Sequence, residues 1–486
     1  MSITIHYIDD QFELFDRTMH VKQLRDASHT MIMIKEEFQE GLKAFGLEKF
    51  KHEQFIVVSD SGSNCSGAEG IRSVYDWHPC IDHKIATCLT PVLNKTISMR
   101  DGRRRPAYKY FDSAPELFNL IDDVKDLVTY FKQANLQHQL PKTLKQENAT
   151  RWNSLLRCLQ SVQDVFDEVV NVLMEKRKMS KVARIAEDLL GELIAFLNEF
   201  QLATLALEKF KEPTIHKVIY WRHRLLTHLV IIDDHAAENN GNLTADSGPI
   251  SVIKDIVRPI VEEKFVIEPI HVVGAMLDPA QKHRLGKFGI SGLQLQEGRQ
   301  QFKVYMKSIG MASINDNKDQ ANCNIDPPPA KKRRTEKRLT RTVVSQYSDD
   351  EDDDENEPGM SSTINLDAQI EVEFDKYMQY KVSKNERLDM YELSKEEKAA
   401  NTKSKSSEGS DCEDVFQVLT WWKHIGVTAF PIVARVARSI LCVPASSAKS
   451  ECNFSDAGNT ITSKRSRLSP SVVNDLMFLR SNHDLQ

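Results

Sequence analysis

Residues 446–470 read SSAKSECNFSDAGNTITSKRSRLSP, and this segment decides how the chain is interpreted. Glu451 lies in a predicted helix of small residues, and Phe454 follows three positions later on the same helical face. A turn is predicted over 457–459, and a basic run follows it at Lys464, Arg465 and Arg467. A carboxylate in this setting is chemically unusual, although an ordinary surface glutamate in a helix has the same local sequence.

Helical patterns extend from this segment through a C-terminal unit that begins near residue 415. Its apolar side chains supply more surface than a small helical unit can bury alone. Large aromatic and aliphatic side chains of this kind often dominate the energy of an interface. We therefore expect self-association through Trp421, Trp422, Phe430, Ile440, Leu441, Phe454, Leu476, Phe478 and Leu479.

The composition excludes several protein classes. The chain has 486 residues, of which 41% are hydrophobic and 28% charged, enough for several domains or one large interrupted domain. No run of about 18 uncharged apolar residues is present, and the N-terminus has no basic segment before an apolar run, so neither a membrane span nor a secretory signal is predicted. No two of the eight cysteines form a CxxC pair, which predicts a reduced intracellular protein rather than a disulfide scaffold.

Charge is strongly segregated within residues 311–365. Seven basic residues between Lys331 and Arg341 precede eight acidic residues between Asp349 and Glu357. Neither block has hydrophobic periodicity, which predicts a disordered insert. The basic cluster is either a nuclear localisation signal or a solvated run balanced by the acidic block, and its proline-flanked position favours localisation through Lys331, Lys332, Arg333 and Arg334.

The N-terminal part predicts strands and one helix. Ile3, Ile5 and Tyr7 alternate with polar residues, and a second strand follows a turn at 9–10. Residues 55–60, FIVVSD, predict a buried strand that opens into a loop of serine and glycine, a common site geometry in α/β folds. Asp60 is then either a ligand for a divalent cation or a loop aspartate that caps a helix, and the local sequence favours the cap.

Two further motifs have a structural and a functional interpretation. Cys80 and His83 are three positions apart, but a zinc site needs a second such pair and none is evident, so hydrogen bonding at a helix start is the better interpretation. Arg151 could hold a phosphate while Trp152 stacks on a displaced base. A tryptophan that closes the core at a helix start is the favoured alternative.

Taken together, and in their order along the chain, these motifs resemble the hAT superfamily of DNA transposases (the hobo, Activator and Tam type) and their domesticated BED-finger relatives. ITIHYIDDQFEL resembles the second and third strands of that family's RNase H-like core, and FIVVSDSGSNCSGA resembles its fourth strand with the second acidic residue. WHPCIDHKI, ATRWNS and AMLDPAQK resemble further family elements, and the stretch from VLTWWK to RLSP resembles the C-terminal dimerisation region. The resemblance covers most of the chain and is most specific around 446–455.

The resemblance implies an α/β fold class. It comprises an incomplete RNase H-like core, interrupted by a large all-helical insertion, with a helical C-terminal dimerisation region. The implied divisions are the first part of the core at 1–95, the helical insertion at 96–310, the disordered insert at 311–365, a helical piece and linker at 366–414, and the region that completes the core at 415–486. The family's first strand, which lies between the second and fourth, is not part of this sequence, so a gap in the centre of the sheet is expected.

The resemblance also implies a chemistry. In the family, three carboxylates hold two Mg²⁺ ions for DNA cleavage and strand transfer. Asp60 would be the second carboxylate and Glu451 the third, and the two segments are expected to meet in space. Arg151 and Trp152 would hold a flipped base, and the DNA backbone would be contacted by Lys464, Arg465 and Arg467. Because the sequence lacks the first aspartate, we expect at most weak Mg²⁺ binding by Asp60 and Glu451, no resident cofactor and no catalysis.

The favoured hypothesis is a transposase-derived nuclear protein that dimerises through its C-terminal region and associates with DNA without cutting it. Its expected partners are a second copy of itself, DNA and a nuclear import receptor, and no membrane. The alternative is an active hAT transposase with a DDE two-metal mechanism, represented here without its N-terminal part. An upstream reading frame that encodes a strand with an aspartate, and a zinc finger before it, would favour the alternative.

Overall fold

The computed structural model describes residues 1–22, 24, 30–50, 54–100, 103–148, 152–233, 244–321, 360–390, 393, 416–461 and 468–482. Six strands form three two-stranded sheets in this part of the chain. The strands are β1 (Ser2–Ile8), β2 (Leu14–Val21), β3 (Ile56–Ser59), β4 (Asp76–Pro79), β5 (Lys95–Arg100) and β6 (Arg103–Tyr108). The described structure is therefore mostly helical with small sheets, rather than built on one continuous sheet.

The helices fill most of the remaining described residues. The first eight are α1 (Met31–Ala44), α2 (Ser63–Ser66), α3 (Ile81–Leu93), α4 (Pro115–Gln133), α5 (Trp152–Gln163), α6 (Phe166–Glu175), α7 (Glu187–Leu207) and α8 (Val218–His228). The next four are α9 (Gly248–Lys264), α10 (Pro269–Met276), α11 (Gly292–Ala321) and α12 (Met360–Gln379). The C-terminal ones are α13 (Val418–Trp421), α14 (Val427–Ala429), α15 (Pro431–Leu441), α16 (Ala448–Thr460) and α17 (Pro470–Ser481).

The predicted N-terminal hairpin is present. β1 and β2 pair antiparallel, and the Asp9 carboxylate accepts hydrogen bonds from the backbone N–H groups of Gln11 and Glu13 at 2.9 Å, which holds the turn between the strands. The predicted first helix follows as α1, with Thr30 as its N-cap, and Gly46 after it adopts a left-handed conformation. Local sequence patterns are sufficient for these elements.

The four N-terminal strands form two separate ladders. β1 pairs with β2, and β3 pairs with β4 in parallel, while the described residues contain no strand that joins β1 to β3. A smaller apolar cluster lies between α1 and these strands and includes Ile3, Met19, Ile34 and Tyr75. The main core is built largely from helices and extends from Ile8 to Ala445.

Two predicted boundaries differ from the structure. The insertion predicted as all-helical over 96–310 begins instead with the β5–β6 hairpin. In this hairpin, Lys95 pairs with Tyr108 and Arg100 pairs with Arg103. The insert predicted as disordered over 311–365 overlaps α11, which continues to Ala321, and α12, which begins at Met360. The basic and acidic blocks themselves lie outside the described residues.

Among the described helices, α7 is long and apolar enough to cross a membrane by length and composition alone. In the structure, its residues Leu193, Phe196 and Phe200 are buried in the main core. A core helix passes the same composition test. The packing of these residues in the core accounts for part of the hydrophobicity of α7.

Candidate functional site

Asp60 directly follows β3 in the chain. In space it lies beside the segment that precedes α16. The Ser447 hydroxyl donates a hydrogen bond to Asp60 Oδ1 at 3.5 Å, and His83 Nδ1 lies 4.0 Å from the same oxygen. The Asp60 side chain is 56% exposed, so this edge of the molecule is open to solvent. The structure brings together two segments that are 387 positions apart in the chain, as we expected for the neighbourhoods of Asp60 and Glu451.

Cys80 holds these two segments together. Its N–H donates to the Ser59 carbonyl at 2.8 Å, and its Sγ accepts from the Ser447 N–H at 3.3 Å. The next residue, Ile81, donates its N–H to the Ala445 carbonyl at 2.9 Å. Cys80 is fully buried, and burial raises the pKa of its thiol. The cysteine therefore acts as a hydrogen-bonding group at the start of α3, which was the favoured interpretation of this motif.

Glu451 is one helical turn beyond Ser447. Its N–H donates to the Ser447 carbonyl at 3.3 Å, which places the carboxylate in the first turn of α16. Asp82, in the first turn of α3, has a pKa raised to about 7, chiefly by burial and further by the charges of Glu208 and Glu451, although a hydrogen bond with Ser446 lowers it. Asp82, Glu208 and Glu451 thus add negative charge to the cleft beside Asp60.

The residues of this cleft do not fit a two-metal site. Across the described ranges, no three His, Cys, Asp or Glu side chains lie close enough together to hold a metal ion. Two Mg²⁺ ions need several carboxylate oxygens in near-octahedral geometry. Asp60 and Glu451 therefore remain predicted ligands without the set of neighbours that the chemistry requires.

Among the predicted DNA-contacting residues, the structure describes the tryptophan but not the basic residues. Trp152 begins α5 and is only 4% exposed, packed in the main core, so its indole has no open face on which a base could stack. The favoured alternative, a tryptophan that closes the core, describes it correctly. The predicted phosphate contacts lie outside the described residues: Arg151, Lys464, Arg465 and Arg467.

Most of the predicted dimerisation anchors are not on the surface. Five of them are at most 1% exposed within a single chain: Trp421, Trp422, Phe430, Ile440 and Leu441. The prediction of these five as interface residues is wrong for this conformation, because α10, α12 and the N-terminal hairpin already cover them. The C-terminal unit is not a small isolated unit, which was the premise of the argument.

Trp422 illustrates how the C-terminal unit docks on the chain. Its indole N–H donates to the Leu277 carbonyl at 2.9 Å, and the Tyr377 hydroxyl donates to the adjacent Met276 carbonyl at 2.8 Å. The Lys282 ammonium lies 3.7 Å from the centre of the Tyr377 ring. These partners belong to the AMLDPAQK element and to α12, and the sequence contains no periodic signal that links them to Trp422.

Three of the other predicted anchors, Phe454, Leu476 and Leu479, are exposed. Phe454 is 50% exposed, and the outer face of α17 presents Val472, Leu476 and Leu479 at 42%, 42% and 59% exposure. Val472, Leu476 and Leu479 lie at positions i, i+4 and i+7, which places them on one helical face. We call these three residues the C-terminal stripe. Beside it, the half-buried Phe478 ring lies 6.1 Å from the ring of Phe45, the residue that follows α1.

A charged network that sequence reasoning missed lies close to the Asp60 cleft. His78, at the end of β4, is hydrogen-bonded through Nδ1 to Glu268, and its Nε2 lies 3.1 Å from Asp76 Oδ1. Glu268 caps α10, where its own N–H donates to His271 Nδ1 at 3.0 Å. We call His78, Asp76 and Glu268 the histidine clamp. Because 190 positions separate His78 from Glu268, no local pattern could predict this contact.

Comparison with known proteins agrees with these features. A sequence profile described as the hAT family C-terminal dimerisation region matches residues 391–483, which include α13 to α17. Over 230 residues, or 45% of this chain, the sequence is 26% identical to the transposable element Hobo transposase of Drosophila melanogaster, of which it covers 31%. Over 201 residues, or 41% of this chain, it is 24% identical to Zinc finger protein 618 of Mus musculus and of Homo sapiens, covering 19% of each.

The chain thus aligns with less than a third of the length of these relatives. The match to the dimerisation region and the match to the hobo transposase point to the same family, and this confirms the resemblance found in the sequence motifs. Residues 391–483 of this chain are thus similar to the hAT family's C-terminal dimerisation region, and part of the chain is similar to the hobo transposase.

Proposed function

We propose that this protein is a hAT-derived nuclear protein that forms a dimer through α17 and associates with DNA without cutting it. The observation that carries the proposal is an exposed apolar stripe on a helix inside the region that matches the family's dimerisation profile. A second copy of the chain is the occupant that this match favours. A symmetric contact would place the same stripe on both sides of the interface.

The C-terminal stripe cannot rotate inward to bury itself. Asn474 Oδ1 accepts from the Val21 N–H at 2.9 Å, and Asn482 Nδ2 donates to the Thr18 carbonyl at 2.9 Å, so both ends of α17 are fixed to β2. On the inner face of the helix, Met477 is buried against β2. The outward direction of the stripe is therefore set by hydrogen bonds on the opposite side of the helix.

A cleft continues the apolar surface next to the stripe. It has a volume of about 640 Å³ and lies between α1, β2 and α17, with Phe45 and Phe478 in its wall. A concave apolar site beside a convex stripe is the shape into which large side chains of a partner pack as interface anchors. The exposed Phe454 on α16 is a candidate for such an anchor.

Replacing Leu476 and Leu479 together by serine is expected to weaken self-association by at least about 100-fold. Each buried leucine stabilises an interface by roughly 1.5–3 kcal/mol, and a symmetric dimer loses the pair from both copies. Sedimentation velocity over a concentration series measures the effect. The matched control is the double replacement of Leu202 and Leu205 by serine, because these leucines are 44% and 47% exposed on α7, away from the matched region.

An unchanged dimer in the Leu476/Leu479 variant would contradict the stripe as the interface, and a wild-type chain that stays monomeric at high micromolar concentration would contradict self-association itself. Point substitutions are preferable to deleting the chain after residue 410. That deletion would also remove buried core residues such as Trp421 and Trp422, and its effect on assembly could not be separated from unfolding.

The arrangement of the N-terminal strands supports an RNase H-like core as the underlying architecture. The antiparallel β1–β2 ladder and the parallel β3–β4 ladder both contribute to the apolar cluster under α1, through Ile3 on one side and Val57 on the other. A further strand between β1 and β3 would pair with one free edge of each ladder. We propose that the family's first strand would take this position.

DNA cleavage is a second candidate function, favoured by the contact between Asp60 and the segment that carries Glu451. We nevertheless expect no cleavage, because the described residues provide no cluster of three metal-binding side chains there. The test incubates purified protein with a nicked duplex that carries terminal repeats, in Mg²⁺ or Mn²⁺. Product that disappears in Asp60→Ala or Glu451→Ala would overturn this expectation, and Asp82→Asn would then show whether Asp82 supplies the additional carboxylate.

Nuclear entry rests on the basic cluster 331–334, which lies outside the described residues. A receptor that reads basic side chains needs them accessible, and the three prolines at 327–329 and the absence of apolar periodicity suit such a segment. Replacing Lys331, Lys332, Arg333 and Arg334 by alanine is expected to leave a fluorescent fusion in the cytoplasm. A fusion that remains nuclear would count against the cluster, and replacing the exposed Lys176, Arg177 and Lys178 by alanine provides a control that removes three positive charges from another part of the surface.

A further inference from the structure

We infer that the β5–β6 hairpin is an arm that enters the major groove of duplex DNA and contacts its phosphate backbone. The inference rests on the proposed association with DNA and names a part of the molecule that makes the contact. Residues 95–109 read KTISMRDGRRRPAYK, with six basic residues and one acidic residue. The antiparallel register brings the cations of both strands into one short ribbon, since Arg100 pairs with Arg103, Met99 with Arg104 and Ser98 with Arg105.

The base of the hairpin is anchored firmly to the helical body. Tyr108, at the end of β6, is 3% exposed and stacks on Phe118 with 4.7 Å between ring centres. Its hydroxyl donates to Asp122 Oδ1 at 2.8 Å, and the Lys95 ammonium on the opposite strand lies 2.8 Å from Asp122 Oδ2. One carboxylate in α4 thus holds both strands where they leave the body, so the base gives the ribbon a fixed starting direction.

Beyond this base, the hairpin leaves the body. Ile97 is 75% exposed only two positions from Lys95, and its register partner Pro106 is exposed too. Within the described chain, no third strand pairs with β5 or β6. A two-stranded ribbon that projects into water is marginally stable alone. The basic residues of the hairpin have two possible roles. They protect the exposed strand edges against aggregation, or they form a binding surface.

The dimensions and chemistry of the arm suit duplex DNA. Six residues of strand span about 20 Å, and the major groove of B-DNA, about 12 Å wide and 8.5 Å deep, admits a two-stranded ribbon. Arginine forms bidentate hydrogen bonds with phosphate. The major groove of A-form RNA is too narrow and deep for such a ribbon. The arm therefore favours DNA over double-stranded RNA, and strand protection alone would not require so many arginines next to one another.

The test measures binding of the full-length protein to a fluorescent 20-bp duplex of arbitrary sequence at several salt concentrations. In the arm variant, Arg103, Arg104 and Arg105 are replaced by glutamine. The matched control replaces the exposed Lys176, Arg177 and Lys178 by glutamine, which removes the same charge from a different part of the surface. A rescue variant replaces the three arginines by lysine, and thermal unfolding checks that every variant is folded.

The arm variant is expected to bind at least about tenfold more weakly near 0.1 M salt, while the control changes little. The slope of log K against log salt should fall by roughly 2 to 3, because each neutralised phosphate contributes about 0.9 to that slope. The lysine variant should retain most of the binding, since the charge is preserved. A duplex RNA of the same length should bind more weakly than the DNA.

The outcomes separate this inference from the proposed function. If the wild-type chain binds DNA and the arm variant binds as well as the control, the arm is not a contact site, although DNA association stands. If the wild-type chain binds no duplex, both proposals fail. Equal loss in the arm and control variants would mean that general surface charge governs the binding, and would overturn the inference. Equally tight binding to anionic lipid vesicles, lost in the same variant, would also count against DNA as the partner.

Discussion

Replacing Trp422 by alanine is expected to lower the free energy of unfolding by about 4 kcal/mol, the usual cost of deleting a large buried aromatic side chain. The indole is fully buried, and its ring lies within 5.4 Å of Tyr377, 4.9 Å of Trp421 and 6.4 Å of Phe12, measured between ring centres. The substitution would leave a large cavity where the C-terminal unit, α12 and the N-terminal hairpin meet. Urea unfolding followed by circular dichroism measures the effect.

Trp422→Phe separates packing from hydrogen bonding. Phenylalanine keeps most of the ring but leaves the buried Leu277 carbonyl without its indole donor, which should cost about 1–2 kcal/mol. Gly426 gives a second check on the same contact, because a Cβ there would lie 2.1 Å from the Trp422 ring, so Gly426→Ala should also destabilise the chain. An alanine variant at Trp422 within 1 kcal/mol of the wild type would mean that the indole is not buried in solution.

Replacing His78 by glutamine is expected to destabilise the chain by about 3 kcal/mol at pH 7. Burial lowers the pKa of His78, but its hydrogen bonds with Asp76 and Glu268 and the charges of these groups outweigh the burial and raise the pKa to about 9. The ring is therefore a cation between two partly buried carboxylates, and its removal would leave them facing each other without compensation. The exposed His138 provides the control, as His138→Gln should change stability little.

The contribution of His78 has a defined pH dependence. Because its pKa in the folded state lies above the ordinary value of 6.5, the protonated ring stabilises the fold fully below about pH 6.5, and this stabilisation disappears as the pH rises through 9. The difference in unfolding free energy between wild type and His78→Gln should shrink by about 3 kcal/mol between pH 6.5 and pH 10. A difference that stays constant over this range would show that His78 is not charged in the folded protein.

Local sequence patterns predict the elements well where each element is determined by its own residues. The alternation of Ile3, Ile5 and Tyr7 predicts β1, and the run before Asp60 predicts β3, because strand and helix periodicity reflect which side chains face inward. The β5–β6 hairpin was missed because arginines occupy most of its outer half, so it has no apolar alternation, even though Asp101-Gly102 is a typical pair for a tight hairpin turn.

Tertiary contacts are harder to predict, because periodicity shows that a face is apolar but not what covers it. Trp422 and Leu476 both looked like interface anchors, yet the first lies against Leu277 and the second faces solvent. The difference depends on residues 145 positions away from Trp422. The meeting of Asp60 with the Glu451 segment was expected only through the family resemblance, since nothing in the local sequence connects them.

The bonds of Cys80 to Ser59 and Ser447 have a consequence for biosynthesis. A ribosome adds about 5–20 residues per second, so roughly 20–80 s separate the synthesis of the two segments that Cys80 joins. During that interval, β1 to β4 are exposed without the C-terminal part that fixes them, at the stage when nascent chains are most prone to aggregate. Chaperone binding to the nascent N-terminal strands would bridge this delay, and the cleft at Asp60 can form only after the segment around residue 447 has left the ribosome.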